Sequence, residues 1–209
     1  MNRYTRIGFV LATAAALIGA SQPLHGTDIG GRELFGIRIG GVFGSNALEN
    51  AYGKGTEIEL HFIEGLGSWF GLSVAVSSHN FGDSKDRDKN IECTQWNRNV
   101  EMQIYSATVA FFGIRSLGEK FSISGEAGFG LYTITTIIHA GMLEGHLTDN
   151  QFGMYCGAGV LYKLTQSLSL NMQGKYHYIL SGGDMMHCYT GEKRAQLYQI
   201  VFGIMIFTG

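Results

Sequence analysis

Leu168–Ile179 reads LSLNMQGKYHYI, and its alternate positions divide cleanly. Leu168, Leu170, Met172, Gly174, Tyr176 and Tyr178 share one face of an extended chain, while Ser169, Asn171, Gln173, Lys175 and His177 share the other. The first face can meet lipid and the second cannot. A tilted strand needs about 9–11 residues to cross the hydrocarbon of a bilayer, and this stretch is long enough.

The same alternation recurs in Leu34–Phe43, Gly55–Ile63, Ser68–Ser78, Val100–Phe112, Phe121–Thr133, Gln151–Leu164 and Ala195–Phe207. Short connections at Glu64–Gly67, Gly113–Lys120 and Thr165–Ser167 interleave with long ones at Gly44–Lys54, His79–Asn99, Thr135–Asn150 and Leu180–Arg194. If the first strand rises from the periplasm, every long loop falls outside the cell and every short turn inside. A soluble sandwich has no reason to sort its loops this way. The pattern predicts an all-β fold, an eight-stranded antiparallel up-and-down transmembrane β-barrel in the bacterial outer membrane.

In the second strand Ile58, Leu60 and Phe62 oppose Glu57, Glu59 and His61. The third sends Phe70, Leu72, Val74 and Val76 outward and Trp69, Gly71, Ser73, Ala75 and Ser77 inward. The fifth offers Phe121, Ile123, Ala127, Phe129 and Leu131 to lipid. The fourth reads less cleanly. Pointing Glu101 and Gln103 inward puts Met102 and Ile104 in lipid, but the same register then exposes Ser106 and Thr108, which suggests a bulge near Tyr105. In the eighth, Tyr198, Ile200, Phe202, Ile204 and Ile206 form the better lipid face and turn Phe207 inward. Aromatics near strand ends, among them Phe43, Phe70, Phe121, Tyr162 and Tyr198, suit interfacial girdles.

The N-terminus reads as a cleavable export signal over residues 1–21. Arg3 and Arg6 precede the apolar run Ile7–Ile18, and the small residues Gly19, Ala20 and Ser21 follow, with cleavage between about 20 and 26. No cysteine at this site invites a lipid anchor. Residues 27–209 then form one barrel domain, since barrel strands cannot be divided without exposing sheet edges in lipid. The only proline, Pro23, lies outside every strand. A net charge of −2 argues against a nucleic-acid partner.

Eight strands enclose a space that side chains can fill, so no continuous pore is expected. Arg38, Glu57, Glu59, His61, Glu101, Gln103, Glu126, Gln173, Lys175 and His177 are read as an inward polar network. Charges in such confinement must pair. By position along the strands, Arg38 suits Glu57 or Glu59, and Lys175 suits Glu126 or Glu101. Acidic groups outnumber basic ones, leaving amides, histidines and water to absorb the remainder. A gated path or proton relay is the alternative to a structural network.

From Leu34 to Phe207 the chain resembles the small outer-membrane barrels typified by the OmpA transmembrane domain, OmpX and the opacity-type porin-family proteins. The resemblance is one of architecture and implies location and fold rather than activity. A peptidoglycan-binding domain after the barrel is not expected.

Cys93 and Cys188 both fall in long outer loops, where they form a disulfide or remain two thiols, and Cys156 sits on the lipid face. Asp86, Asp88, Asn90 and Glu92 alternate like the start of a calcium loop, but Ile91 and Asn97 stand where the glycine and closing glutamate belong. His139, Met142, His146, Met185, Met186 and His187 lack the tight spacing of a metal site. No metal and no cofactor is expected. Eight-stranded lipid A deacylases carry a serine two residues after a strand histidine. Here Ile179 follows His177 at that distance, and His79 beside Ser77 and Ser78 shows the reverse order with no evident acid. Gly67–Ser68–Trp69 mimics a lipocalin motif, yet lipocalins need the opposite polarity to that of Leu168–Ile179 and carry the motif on their first strand, so Trp69 reads better as an anchor beside a periplasmic turn.

The sequence therefore points to a non-enzymatic barrel with a structural or surface-loop binding and adhesion role. A narrow small-solute porin is the alternative, and an enzyme acting on lipid A or surface peptides comes third. Expected partners are outer-membrane lipids and lipopolysaccharide, the barrel-assembly machinery and an extracellular ligand held by the loops.

Overall fold

The computed structural model describes residues 29–44, 48, 52–83, 99–140, 143–180 and 194–208. Its strands are β1 (Glu33–Gly44), β2 (Lys54–Gly65), β3 (Phe70–Asp83), β4 (Asn99–Ser116), β5 (Phe121–Ala140), β6 (Leu143–Lys163), β7 (Leu168–Leu180) and β8 (Arg194–Thr208). Each pairs antiparallel with its sequence neighbours, and β1 pairs with β8 from Glu33↔Thr208 to Gly44↔Leu197, closing the barrel. Closure is what permits this sheet in a bilayer, because no water in the hydrocarbon can replace a missing ladder partner.

Three connections at one end are tight. Phe70, Phe121 and Leu168 accept backbone hydrogen bonds from Leu66, Leu117 and Leu164 at 3.0, 2.8 and 2.9 Å. Such short turns face the periplasm in outer-membrane barrels. At the other end the expected long loop Thr135–Asn150 is instead a β-hairpin. The β5–β6 ladder continues to Ala140↔Leu143, well past Phe152↔Leu180, where β6 leaves β7. The run Thr133–Ile138 is entirely β-branched, which suits an extended backbone and carries the strand on beyond the lipid.

The exterior at lipid depth is apolar on every wall, with Ile37, Ile58, Val74, Phe129, Met172 and Phe202 all exposed. In β8 the outward set is Tyr198, Ile200, Phe202, Ile204 and Ile206, and Phe207 packs inward against a buried cluster. The bulge expected near Tyr105 is absent, and β4 pairs without interruption from Asn99↔His139 to Ser116↔Ser122. The irregularity lies on the neighbouring strand, between Asn80 and Gly82, where Gly82 takes φ 67° and its N–H donates to Asn80 Oδ1.

Interior glycines set how closely the walls and contents approach. A Cβ on Gly203 would lie 2.1 Å from the Ile37 carbonyl oxygen and 2.8 Å from Arg38 Cγ. The Arg38 stem occupies the space that a larger residue at 203 would need.

Candidate functional site

The lumen holds a polar belt between two apolar clusters, and the alternation of each strand delivers its contents. Arg38 on β1 faces Glu59 on β2 in register, and Arg38 Nη1 donates to Glu59 Oε1 at 2.8 Å. Lys175 on β7 reaches across the lumen and donates to Glu59 Oε2. Glu126 on β5 completes the group, with Lys175 Nζ at 3.3 Å, His61 Nε2 at 3.5 Å and Arg38 Nη1 at 3.9 Å. All five side chains are buried. Glu59 and Glu126 thus each touch cations from two strands, which ties β1, β2, β5 and β7 together through the interior.

One level nearer the loops lies a second chain of hydrogen bonds. Ser77 Oγ lies 2.6 Å from Ser106 Oγ and 2.9 Å from His79 Nε2. The Gln199 amide bridges the two histidines. With its nitrogen toward His177 it donates to Nε2 at 2.9 Å and to Glu57 Oε2 at 3.1 Å, and its oxygen then faces His79 Nδ1 at 3.3 Å. His177 Nδ1 meets the Tyr132 hydroxyl at 2.8 Å, and the Tyr155 ring stacks on the imidazole at 5.1 Å. Gln173 and Asn171 on β7 are buried near the ionic group and form no side-chain hydrogen bond among the described residues.

Above this belt Val42, Leu48, Tyr52, Phe81, Met102, Ile104, Tyr132, Ile134, Ile138, Ile179, Ala195 and Leu197 form one buried apolar cluster. Below it Ile29, Leu34, Ile63, Phe112, Ile114, Leu161 and Met205 form a second. Both ends of the charged interior are therefore stoppered by hydrocarbon.

Of the residues read as a lumen network, Arg38, Glu57, Glu59, His61, Glu126, Gln173, Lys175 and His177 face the interior. Glu101 and Gln103 do not, and the inward placement is corrected. Glu101 pairs with His139 at 3.4 Å and Gln103 accepts from the Tyr105 hydroxyl at 2.9 Å, both on the outer side, while Met102 and Ile104 point inward. The reason is that polarity inverts above the lipid. There the outer side meets water and the inner side holds the apolar stopper, so the lipid-out rule gives the wrong face. The inward placement of Trp69 is likewise corrected, in favour of the anchor beside the turn. It lies exposed in the turn before β3 with its ring 5.1 Å from Phe70, as an interfacial anchor would.

His79, Gln199, Tyr132 and Tyr155 are inward residues that the sequence reading left out. Their signal is parity, since His79 continues the inward series Ser73, Ala75, Ser77 by one more step. The acid missing beside His79 is Glu57, its register partner across β2–β3, with Oε1 3.8 Å from His79 Nδ1. Cys156 sits half-buried on the wall as a free thiol. Cys93, Cys188, the export signal and the acidic series at 86–92 lie outside the described residues. Among the described residues no cluster of three His, Cys, Asp or Glu could hold a metal.

No protein-family model matches the sequence, and no curated protein matches it. Solved structures do match the fold. A major outer membrane protein of Thermus thermophilus superposes with a TM-score of 0.60 at 14% identity, covering 84% of this chain and 99% of that one. Neisserial surface protein A gives 0.55 at 13% identity, with 84% and 96% covered. The attachment invasion locus protein Ail of Yersinia pestis, in complex with the heparin analogue sucrose octasulfate, gives 0.54 at 10% identity, with 86% and 99% covered. This chain has the fold of the small eight-stranded outer-membrane β-barrels. The apolar belt around the closed wall agrees with that fold and suits a barrel whose outer face meets lipid.

Proposed function

We propose that this outer-membrane barrel is a non-conducting, non-enzymatic scaffold that presents an extracellular surface for ligand binding. The observation that carries the reading is the stoppered lumen, in which the ionic belt is closed by an apolar cluster at each end. A solute path would have to pass Met102, Ile104 and Leu197 at one end and Ile63, Phe112 and Met205 at the other, all at most 2% exposed.

The extracellular β5–β6 hairpin supports the binding half of the proposal. Its outer face is polar, with Thr133 donating to Asn150 at 2.8 Å and the Glu101–His139 pair beside it. A rigid sheet rising above the membrane displays side chains without the ordering cost of a flexible loop. The structurally similar Ail holds a heparin analogue, which makes a sulfated glycan a rational first probe for this chain.

The experiment compares cells displaying the full protein with cells displaying a variant in which residues 135–148 are replaced by a two-residue turn. Binding to immobilised heparin and to extracellular-matrix proteins is measured. The reading expects binding by the full chain that falls to background in the shortened one. Equal binding by both, or by neither, contradicts it.

A further inference from the structure

The segment that precedes β1 enters the periplasmic end of the barrel. Ile29 is completely buried and belongs to the lower apolar cluster with Leu34, Ile63, Phe112, Ile114, Leu161 and Met205. The other members stand on strands, held by ladder pairing. Among the described residues, Ile29 alone reaches the cluster from outside the sheet.

Three backbone hydrogen bonds seat it on the wall and a fourth closes its own turn. Ile29 N–H donates to Ser68 O at 3.2 Å, and Gly31 N–H to Gly65 O at 2.9 Å. Arg32 N–H donates to Ile29 O at 3.0 Å, closing a turn, and Gly65 N–H donates to Arg32 O at 2.9 Å. Gly31, with φ 71°, supplies the left-handed residue that reverses the chain under the barrel mouth. The receiving side is equally specific. A Cβ on Gly65 would sit 1.7 Å from the Ile29 carbonyl oxygen, so only glycine at 65 lets the segment lie down.

We propose that Ile29–Arg32 is a cork that seals the periplasmic mouth, with Gly31 making its turn and the Gly65–Ser68 edge as its seat. Withdrawing it breaks no pair of the closed β-ladder, because β1 begins at Glu33. The upper stopper likewise takes Leu48 and Tyr52 from the connection between β1 and β2, while its other members stand on β1, β3, β4, β5, β7 and β8. Removing the cork uncovers Ile63 and Met205, and behind them His61, without touching the upper cluster. This inference is independent of any ligand at the cell surface.

The test uses the full mature chain refolded into lipid bilayers, with Cys93→Ser, Cys156→Ala and Cys188→Ser removing the native thiols. A reporter thiol is placed at Ile63→Cys, and in a second protein at Leu197→Cys in the upper cluster. Labelling by a small charged thiol reagent is timed with and without Gly65→Ala, which unseats the cork, or Ile29→Asp, which keeps the backbone but cannot remain in hydrocarbon.

Labelling of a protected site follows the population of its open form, so Ile63→Cys should label about tenfold faster or more in either unseated background. Leu197→Cys should not change. Heat-modifiable gel mobility identifies which background retains the barrel, and Ile29→Asp serves if Gly65→Ala does not fold. Unchanged labelling of Ile63→Cys in a folded unseated variant overturns the proposal. Equal acceleration at Leu197→Cys overturns it as well, since the whole barrel would then have loosened.

Discussion

Lys175 on β7 and Glu59 on β2 are 116 residues apart in sequence, stand on walls separated by β8 and β1, and join in a hydrogen-bonded ion pair across the lumen. Glu59 also accepts from Arg38, so one carboxylate holds two cations from two different walls. Ion pairs of this kind need good geometry and further hydrogen bonds to offset desolvation, and removal of one partner leaves the others uncompensated.

Glu59→Gln is accordingly expected to destabilise the barrel by roughly 3–5 kcal/mol, because Arg38 and Lys175 are left buried with Glu126 alone. Urea unfolding of the refolded protein in lipid vesicles measures this. An unchanged midpoint would show the ionic belt to be well hydrated.

The lipid face gives a second expectation. Met172 is exposed on the outer wall and Gln173 is buried inside. Met172→Arg should cost about 2–4 kcal/mol of folding free energy if it lies near the bilayer midplane. Met172→Leu should be nearly neutral by the same unfolding measurement. An Arg variant as stable as the Leu variant would reverse the assigned faces.

Close approach at Gly203 gives a third. Gly203→Val must displace the Ile37 carbonyl or the Arg38 stem, and overpacking of this kind costs typically about 1–3 kcal/mol or more. The expected readout is slower refolding with a smaller fraction reaching the heat-modifiable form. Wild-type refolding yield would mean that β1 and β8 are spaced more widely at this level.

Catalysis gives a fourth. Ser77, His79 and Glu57 are arranged in the order of a hydrolytic triad, with Ser77 Oγ 2.9 Å from His79 Nε2 and Glu57 3.8 Å from Nδ1. His79 is nevertheless wholly buried, and Ser77 is hydrogen-bonded to Ser106 beneath the upper stopper. A fluorophosphonate probe should therefore leave Ser77 unlabelled in the folded barrel. Labelling abolished by Ser77→Ala would assign a hydrolase.

The closed barrel, its strand number and most of its lipid face were legible because a membrane strand must alternate, and Leu168–Ile179 shows that alternation without exception. Arg38 beside Glu59 was within reach for the same reason, since inward parity and height along the strand bring them together. The sequence misled where the solvent changes. Glu101 and Gln103 stand above the lipid, where polar side chains belong outside, and no alternation marks that boundary. The β5–β6 hairpin was hidden because His139, Glu144 and His146 look like loop residues, although the β-branched run at 133–138 favours a strand. Gln199 and His79 bridge through tertiary placement, to which parity is only a guide.

Planar-bilayer conductance of the refolded full-length barrel tests most directly whether the lumen is filled and stoppered. No stepwise current is expected at either polarity, with Glu59 paired and both apolar clusters in place. A stable open level, abolished by enlarging a stopper residue such as Ala195→Phe and altered in ion selectivity by Lys175→Met, would contradict a closed lumen and identify a channel.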